Sequence, residues 1–276
     1  MIYYGKTNRE TDMKIAFIGA GKMATAIGKG LMNASGAKWE AAACDPAEKA
    51  RENFTRITSI PCFETVAEAL DGADAVLLAV KPQYAAEALT GAAPLLAGKL
   101  LISIAAGLSI EKLSGLAKTG RIIRVMPNTP ALAGEGMSCF APGKDVSAQD
   151  IEWAEGILRS IGRCRQLPEK LMDAVTGLSG SGPAYVFEFI MALADGGVYE
   201  GLPRDVALEL AAQTVYGSAK MVLESTDSPA VLRDAVISPA GTTARGVAKL
   251  DEGAFRSTVV KAVVAAAERS AELGKL

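Results

Sequence analysis

Apolar residues come in two rhythms along this chain: short runs between amphipathic stretches first, then helical spacing alone. The runs at 15–18, 40–44, 74–80, 100–104, 121–125 and 136–140 predict strands, the last leading out of the alternation. Between them, 22–32, 84–96 and 110–116 carry a helical pattern. Alternating strands and helices predict an α/β fold, a doubly wound, mostly parallel Rossmann-type sheet. The run from Ala75 to Val80 is apolar throughout, as expected of a central strand covered on both faces. It meets Lys81-Pro82, and proline cannot extend a ladder, so this point marks the carboxyl edge of the sheet. Ligands of such sheets bind at that edge. Ser103-Ile104-Ala105-Ala106-Gly107 closes the next run with small residues, which would let a flat ring lie close to backbone.

From 168 onward no strand is predicted. The segments 168–176, 183–199, 203–224, 229–236, 241–250 and 254–273 all read as helices. Ala184 to Ala194 is apolar on every side except Glu188, which predicts a helix buried all round. The next helix carries one stripe of Val206, Leu210, Thr214, Gly217 and Met221, and another of Leu208, Ala212, Val215, Ala219 and Val222. Two apolar stripes need two partners, so a subunit interface is expected, with one crowded monomeric bundle as the other solution. The expected organisation is therefore a dinucleotide-binding domain over 13–167 and an all-helical substrate and dimerisation domain over 168–276. Residues 1–12 are polar and lack an apolar signal core, and Met13 looks like a natural start. They are expected to be a disordered upstream extension or a cloning remnant.

Charge and rare residues narrow the chemistry. A formal net charge of -2 without a run of like charges argues against nucleic acid or a membrane surface as partner. No apolar run approaches the length of a membrane span. The four cysteines (Cys44, Cys62, Cys139 and Cys164) have no C-x-x-C spacing and histidine is absent, so a metal site is not expected and a cytoplasmic, reducing setting is. The lack of histidine also removes the Ser-His-Asp triad and any histidine general acid, and with them most hydrolases and the hydroxy-acid dehydrogenases that use a His–Asp pair.

The stretch Lys14-Ile-Ala-Phe-Ile-Gly-Ala-Gly-Lys-Met-Ala24 carries the most chemistry. Gly19 permits a tight turn between strand and helix, and Gly21 lets backbone approach a pyrophosphate resting on the N–H groups of the helix start. Ala24 replaces the third glycine of the usual fingerprint and is still small enough for close packing. Asp45 ends the second strand at the distance where such folds place an acid for ribose hydroxyls. Two hydroxyl- and glycine-rich loops follow in the helical half. In Thr176-Gly-Leu-Ser-Gly-Ser-Gly-Pro183, Ser181 is a candidate N-cap and Pro183 suits a first helical turn. In Ser238-Pro-Ala-Gly-Thr-Thr243, free N–H groups and two hydroxyls would make an anion site suited to a small carboxylate. An ordinary capped turn is the competing explanation of each.

These strings together resemble the pyrroline-5-carboxylate reductase family. The resemblance runs through Phe17-Ile-Gly-Ala-Gly21, Ala79-Val-Lys-Pro82, Met126-Pro-Asn-Thr-Pro130 and Asp173-Ala-Val-Thr-Gly-Leu-Ser-Gly-Ser-Gly-Pro-Ala-Tyr185. It continues through Ala192-Leu-Ala-Asp-Gly-Gly-Val198, Gly201-Leu-Pro-Arg204, Ser238-Pro-Ala-Gly-Thr-Thr-Ala-Arg-Gly246 and Gly253-Ala-Phe-Arg-Ser257, in order from about Met13 to the end. The resemblance implies reduction of 1-pyrroline-5-carboxylate to L-proline with NADPH or NADH. It implies that Ile18, Gly19, Ala20, Gly21, Lys22, Met23, Asp45, Ala79, Val80, Lys81, Pro82, Ile104, Ala105, Ala106 and Asn128 hold the cofactor. Ser238, Gly241, Thr242, Thr243 and Thr176 would hold the substrate, with the Thr243 hydroxyl near the ring nitrogen as the catalytic group. It further implies a homodimer through the helical half, with one subunit's helices meeting the other's cofactor domain, and in some members a ring of dimers.

Three departures stand out: Ile237 and Ala240 where the family has small residues or glycine, and Asp45 where many members carry serine. The rival readings are a reductase of another imine or small 2-keto acid, and a dinucleotide-sensing scaffold without catalysis. A substrate panel decides the first, and the presence of both hydroxyl loops speaks against the second, since a sensor has no use for a carboxylate pocket.

Overall fold

The structure is a computed structural model that describes residues 13–34 and 39–275. The expected extension at 1–12 lies outside the described residues. The first part alternates β1 (Met13–Ile18), α1 (Lys22–Asn33), β2 (Trp39–Cys44), α2 (Glu48–Thr58), β3 (Cys62–Phe63), α3 (Val66–Leu70), β4 (Ala75–Leu78), α4 (Pro82–Ala92), β5 (Leu100–Ser103), α5 (Ile110–Ala117) and β6 (Ile122–Met126). Then come β7 (Gly136–Pro142), α6 (Ala148–Arg159), β8 (Gly162–Gln166) and α7 (Met172–Val175). The helices α8 (Gly182–Tyr199), α9 (Arg204–Glu224), α10 (Pro229–Val236), α11 (Thr242–Glu252) and α12 (Phe255–Lys275) complete the chain.

Among the described residues the strands form one eight-stranded sheet in the order β3-β2-β1-β4-β5-β6-β7-β8. All neighbours are parallel except β6 and β7, where Val125 faces Phe140 across an antiparallel ladder. The order reverses between β1 and β4, the switch point beside which doubly wound sheets bind ligands. Ile15, Phe17, Leu77 and Ile102 fill one face of the sheet with α1 residues Ala24, Ile27 and Leu31. Ala16, Val76, Leu78 and Leu101 fill the other with Ala85 and Leu89 of α4 and Leu113 of α5. Ala24 is fully buried, so the third fingerprint position serves packing.

Several expectations are corrected. β4 stops at Leu78 instead of running to residue 80, and α4 starts at Pro82 and ends at Ala92, where Pro94 turns the chain into a short 3-10 helix, Ala93–Leu95. Proline occupies the first turn of each because it lacks an N–H to donate further along. The glycine-rich segment at 176–180 is a π-helical turn continuing α7, not an open loop. Ser181 precedes α8 but its hydroxyl makes no cap.

By contacts the chain divides into two compact units, one running to Gly180 and resuming at Ala267, the other Ser181–Ala266. Contacts thus divide the chain at Gly180/Ser181, where the apolar pattern divides it at 167/168. Met172 and Val175 pack with Cys139 and Ala141 of β7, and the Glu169 carboxylate accepts from the Ile110 N–H at 2.7 Å. The end of α12 rejoins the same unit: the Ser270 hydroxyl donates to Asp173 at 2.7 Å, and Lys112 Nζ to the Gly274 carbonyl at 3.1 Å.

In the second unit α8 and α9 meet through Ala194, Ala207 and Ala211, whose small side chains let the helices approach closely. That inner face is neither of the two stripes read from the sequence; Val206, Leu210, Met221, Leu208 and Val222 are all exposed. Helix α8 is not buried all round either. Only Ala194 of it is buried, while Phe187 is 58% and Met191 47% exposed. These apolar faces lie exposed on the single chain. Helix α8 also touches α12, with the Phe189 and Phe255 rings 5.6 Å apart and the Tyr185 hydroxyl donating to the Ala262 carbonyl at 3.4 Å.

Candidate active site

The carboxyl edge of the sheet is built by backbone hydrogen bonds that carry the ladder past the strands. The Gly19 N–H donates to the Cys44 carbonyl at 2.8 Å, the Ala79 N–H to Ile18 at 2.8 Å, and the Ile104 N–H to Leu78 at 3.1 Å. The turn at 19–21 and the segments 79–82 and 104–106 therefore stand side by side. Ile18, Ala20 and Ala105 have their side chains in the core, so only their backbones reach the edge. Gly21, Lys22, Lys81, Pro82 and Ala106 are exposed there; Met23, Ala79, Val80 and Ile104 are half-buried.

The two turn glycines differ. Gly19 has φ +97°, and a Cβ on it would meet the Ala79 carbonyl oxygen at 2.8 Å and Val80 Cγ1 at 2.9 Å. Only glycine closes this turn. A Cβ on Gly21 would meet nothing within 4 Å. Gly21 is also the N-cap of α1, and no side chain caps that helix. Open space in front of uncapped N–H groups fits a pyrophosphate.

Asp45 stands where the sequence reading puts it, but its carboxylate already has backbone partners. Oδ2 accepts from the Ala20 N–H and Oδ1 from the Ala47 N–H, each at 2.9 Å. Arg51, on α2, turns its guanidinium onto the carbonyls of Asp45 and Pro46, both at 2.9 Å. Burial pushes the thiol of Cys44 up to about 12 and that of Cys62 up to about 11, so neither is a nucleophile at neutral pH.

Asn128 follows β6, and both ends of its amide are engaged. Oδ1 accepts from the Met137 N–H at 2.8 Å, and Nδ2 donates to the Ser179 carbonyl at 3.1 Å. Ser179 lies in the π-helical turn with Thr176, whose hydroxyl donates to the Met172 carbonyl at 2.8 Å. With its proton committed, Thr176 offers a ligand only lone pairs.

Ser238, Gly241, Thr242 and Thr243 lie together in the second unit. The Gly241 N–H donates to the Ser238 carbonyl at 3.0 Å, and a Cβ on Gly241 would overlap Ser238 Oγ. Gly241 is the N-cap of α11, which no side chain caps, and Thr243 is half-buried in its first turn. The departure at Ala240 has a conformational consequence: its φ is +57°, the left-handed region that glycine adopts freely. The brackets formed by Asp45 and Asn128 are what sequence reasoning missed. Both join a side chain to the backbone of a distant segment, and no spacing rule reports that.

Known proteins resemble the chain over both of these regions. Residues 169–273 match the family model described as pyrroline-5-carboxylate reductase dimerisation. Residues 14–107 match the model described as NADP oxidoreductase, coenzyme F420-dependent. The pyrroline-5-carboxylate reductase of Arabidopsis thaliana is 44% identical over 96% of this chain and 96% of its own. That of Methanosarcina acetivorans is also 44% identical, over 96% of this chain and 99% of its own. Among solved structures, the Plasmodium falciparum pyrroline carboxylate reductase with NADP bound superposes with a TM-score of 0.85 at 37% identity, covering 95% of this chain and 98% of that one. The Coxiella burnetii pyrroline-5-carboxylate reductase does so with a TM-score of 0.88 at 30% identity, covering 95% and 99%.

Proposed function

This chain belongs to the pyrroline-5-carboxylate reductase family; it reduces 1-pyrroline-5-carboxylate to L-proline with NAD(P)H, the last step of proline biosynthesis, and we propose which of its residues do what. The dinucleotide, when bound, supplies the hydride. The N–H groups at the start of α1, behind Gly21, hold its pyrophosphate, and the backbones of 79–82 and 104–106 border the rest. The uncapped start of α11 takes the substrate carboxylate through backbone N–H groups at Gly241–Thr243, with Ser238 shaping the turn.

The cyclic imine arrives protonated or takes up a proton readily, so no histidine acid is required. The Thr243 hydroxyl holds that proton's nitrogen in place. The Thr176 hydroxyl, which donates to the Met172 carbonyl, offers the substrate its oxygen as an acceptor. What the protein contributes is orientation and exclusion of water at an already electrophilic carbon.

The observation that carries this reading is the Gly21 position, open on its outer side and set before an uncapped helix at the carboxyl edge. The test is loss of the reduced-nicotinamide absorbance of NADH or NADPH on adding 1-pyrroline-5-carboxylate. A chain that binds either cofactor and leaves it unoxidised would sink the reading.

The exposed apolar side chains of α8 and α9 support a homodimer through the second unit, the arrangement in which a shared site forms between subunits. A ring of such dimers extends the same reading, and solution mass in multiples of the 28.6 kDa chain decides between them. The four free cysteines suit the reducing cytoplasm as the place of reaction. Among the described residues no helix is long and apolar enough to cross a membrane.

A further inference from the structure

We propose that Asn128 is a positioning residue that fixes the Thr176 turn against the carboxyl edge of the sheet, rather than a contact to the dinucleotide. The proposal rests on the reading of Thr176 given above. Asn128 leaves β6, which pairs with β5, and β5 is followed by the segment 104–106 assigned above to the cofactor. From there its amide joins the start of β7, through the Met137 N–H at 2.8 Å, to the distant π-helical turn, through the Ser179 carbonyl at 3.1 Å. Both partners are backbone groups of fixed polarity. Reversing the amide would set donor against donor and oxygen against oxygen, so a single orientation is allowed.

The π-helical turn gains its place from this bracket. Gly180 closes the turn against Met126, whose Cε occupies the space a Cβ there would need. The Ser179 hydroxyl donates to the Val175 carbonyl at 3.1 Å, and that of Thr176 to Met172 at 2.8 Å, so both hydroxyl oxygens move only as the turn moves. A π turn lacks the bonding register of the helix on either side, and its free carbonyls need outside donors. Asn128 supplies one. Asparagine is the residue that suits both partners: aspartate keeps the bond from Met137 but cannot donate to Ser179, and alanine loses both.

The test compares Asn128→Asp with the wild-type chain by steady-state kinetics, and by NADH dissociation constants from fluorescence. The KM for 1-pyrroline-5-carboxylate should rise about tenfold and kcat fall, with NADH affinity within about twofold of wild type. As the pH is lowered the deficit should shrink, because a protonated carboxyl again donates to Ser179; a merely structural defect would not recover. Should Asn128→Asp fail to fold, Asn128→Gln keeps donor and acceptor at a changed length and should show the same rise in KM at unchanged NADH affinity. Weakened NADH binding at unchanged KM would make Asn128 a cofactor contact and overturn the proposal, as would kinetic constants unaltered throughout. A wild-type chain unable to reduce 1-pyrroline-5-carboxylate would overturn the functional reading itself, and the proposal with it, before any variant is compared.

Discussion

Asp45 is tied to Ala20: its Oδ2 accepts the Ala20 N–H at 2.9 Å, so the carboxylate at the end of β2 is held against the glycine-rich turn. In doubly wound dinucleotide folds an acid at the end of this strand meets the adenosine ribose, and on that reading Asp45 sets a fixed negative charge beside it. The 2′-phosphate of NADPH brings about -1.5 to -2 charges, and at ~4 Å like charges repel by a few kcal/mol at an effective dielectric near 20, before screening. Arg51 is close in sequence but spends its guanidinium on the Asp45 and Pro46 carbonyls. We therefore expect both cofactors to work, with NADH favoured. Asp45→Ser, and Asp45→Asn as the variant that keeps an acceptor for Ala20, should raise kcat/KM for NADPH relative to NADH by roughly tenfold. An unchanged ratio in both variants would mean that Asp45 serves the turn alone.

Thr243→Val removes the hydroxyl in the first turn of α11 and keeps the side-chain shape. Turnover should fall by roughly one to three orders of magnitude while NADH affinity and melting temperature hold. Equal kcat/KM for variant and wild type would remove Thr243 from the catalytic role.

Ala240 sits at φ +57° without being glycine. Ala240→Gly relieves that strain, offset in part by the greater freedom of glycine in the unfolded chain, so stability should change by less than about 1 kcal/mol, in the stabilising direction. Ala240→Val should destabilise by more than that, because a β-branched side chain tolerates this conformation worse. Thermal melts of the two variants check the ordering.

Asp150 is fully buried and receives Arg121 through both oxygens, at 2.6 and 3.0 Å, with the Ser147 N–H at 2.9 Å. Burial alone would raise its pKa; the hydrogen bonds from Arg121 and Ser147 outweigh burial and hold it below the usual carboxylate value. A carboxyl lowered in the folded state stabilises fully above its unfolded pKa, near 3.9, and that contribution is lost as pH falls through the folded value. Asp150→Asn should cost about 2–4 kcal/mol at pH 7, and the gap to wild type in urea unfolding should narrow below about pH 4. A gap independent of pH would assign the loss to packing.

What the sequence made legible was whatever repeats locally. The apolar runs of β1, β2 and β4 to β7 announce themselves because both faces of a doubly wound sheet are covered. Edge strand β8 does not, since Gly-Arg-Cys-Arg-Gln alternates charge with a single half-buried Cys164, as an edge should. Strand β3 is two residues long and too short for any period. Helix α6 went unread although Ser147 and Asp150 form a capping box ahead of it, a signal that could have found it. In α9 the small residues Ala207 and Ala211 form the inner face, and a search for large apolar stripes passes over them. At the edge of the sheet the glycines were readable from spacing; the partners of Asp45 and Asn128 were not, because they depend on which strand ends the topology sets side by side.

The return of α12 to the first unit makes that unit discontinuous in the chain, with Ser181–Ala266 inserted before Ala267 closes it. During synthesis the sheet can form early, but Asp173 and Lys112 wait for Ser270 and the Gly274 carbonyl. At about 5–20 residues per second the insertion takes on the order of 5–20 s to translate, and throughout that time the nascent sheet lacks its closing helix. A truncation before Ala267 would thus harm the cofactor-binding unit, although Ala267 is separated from the rest of that unit by the whole of Ser181–Ala266.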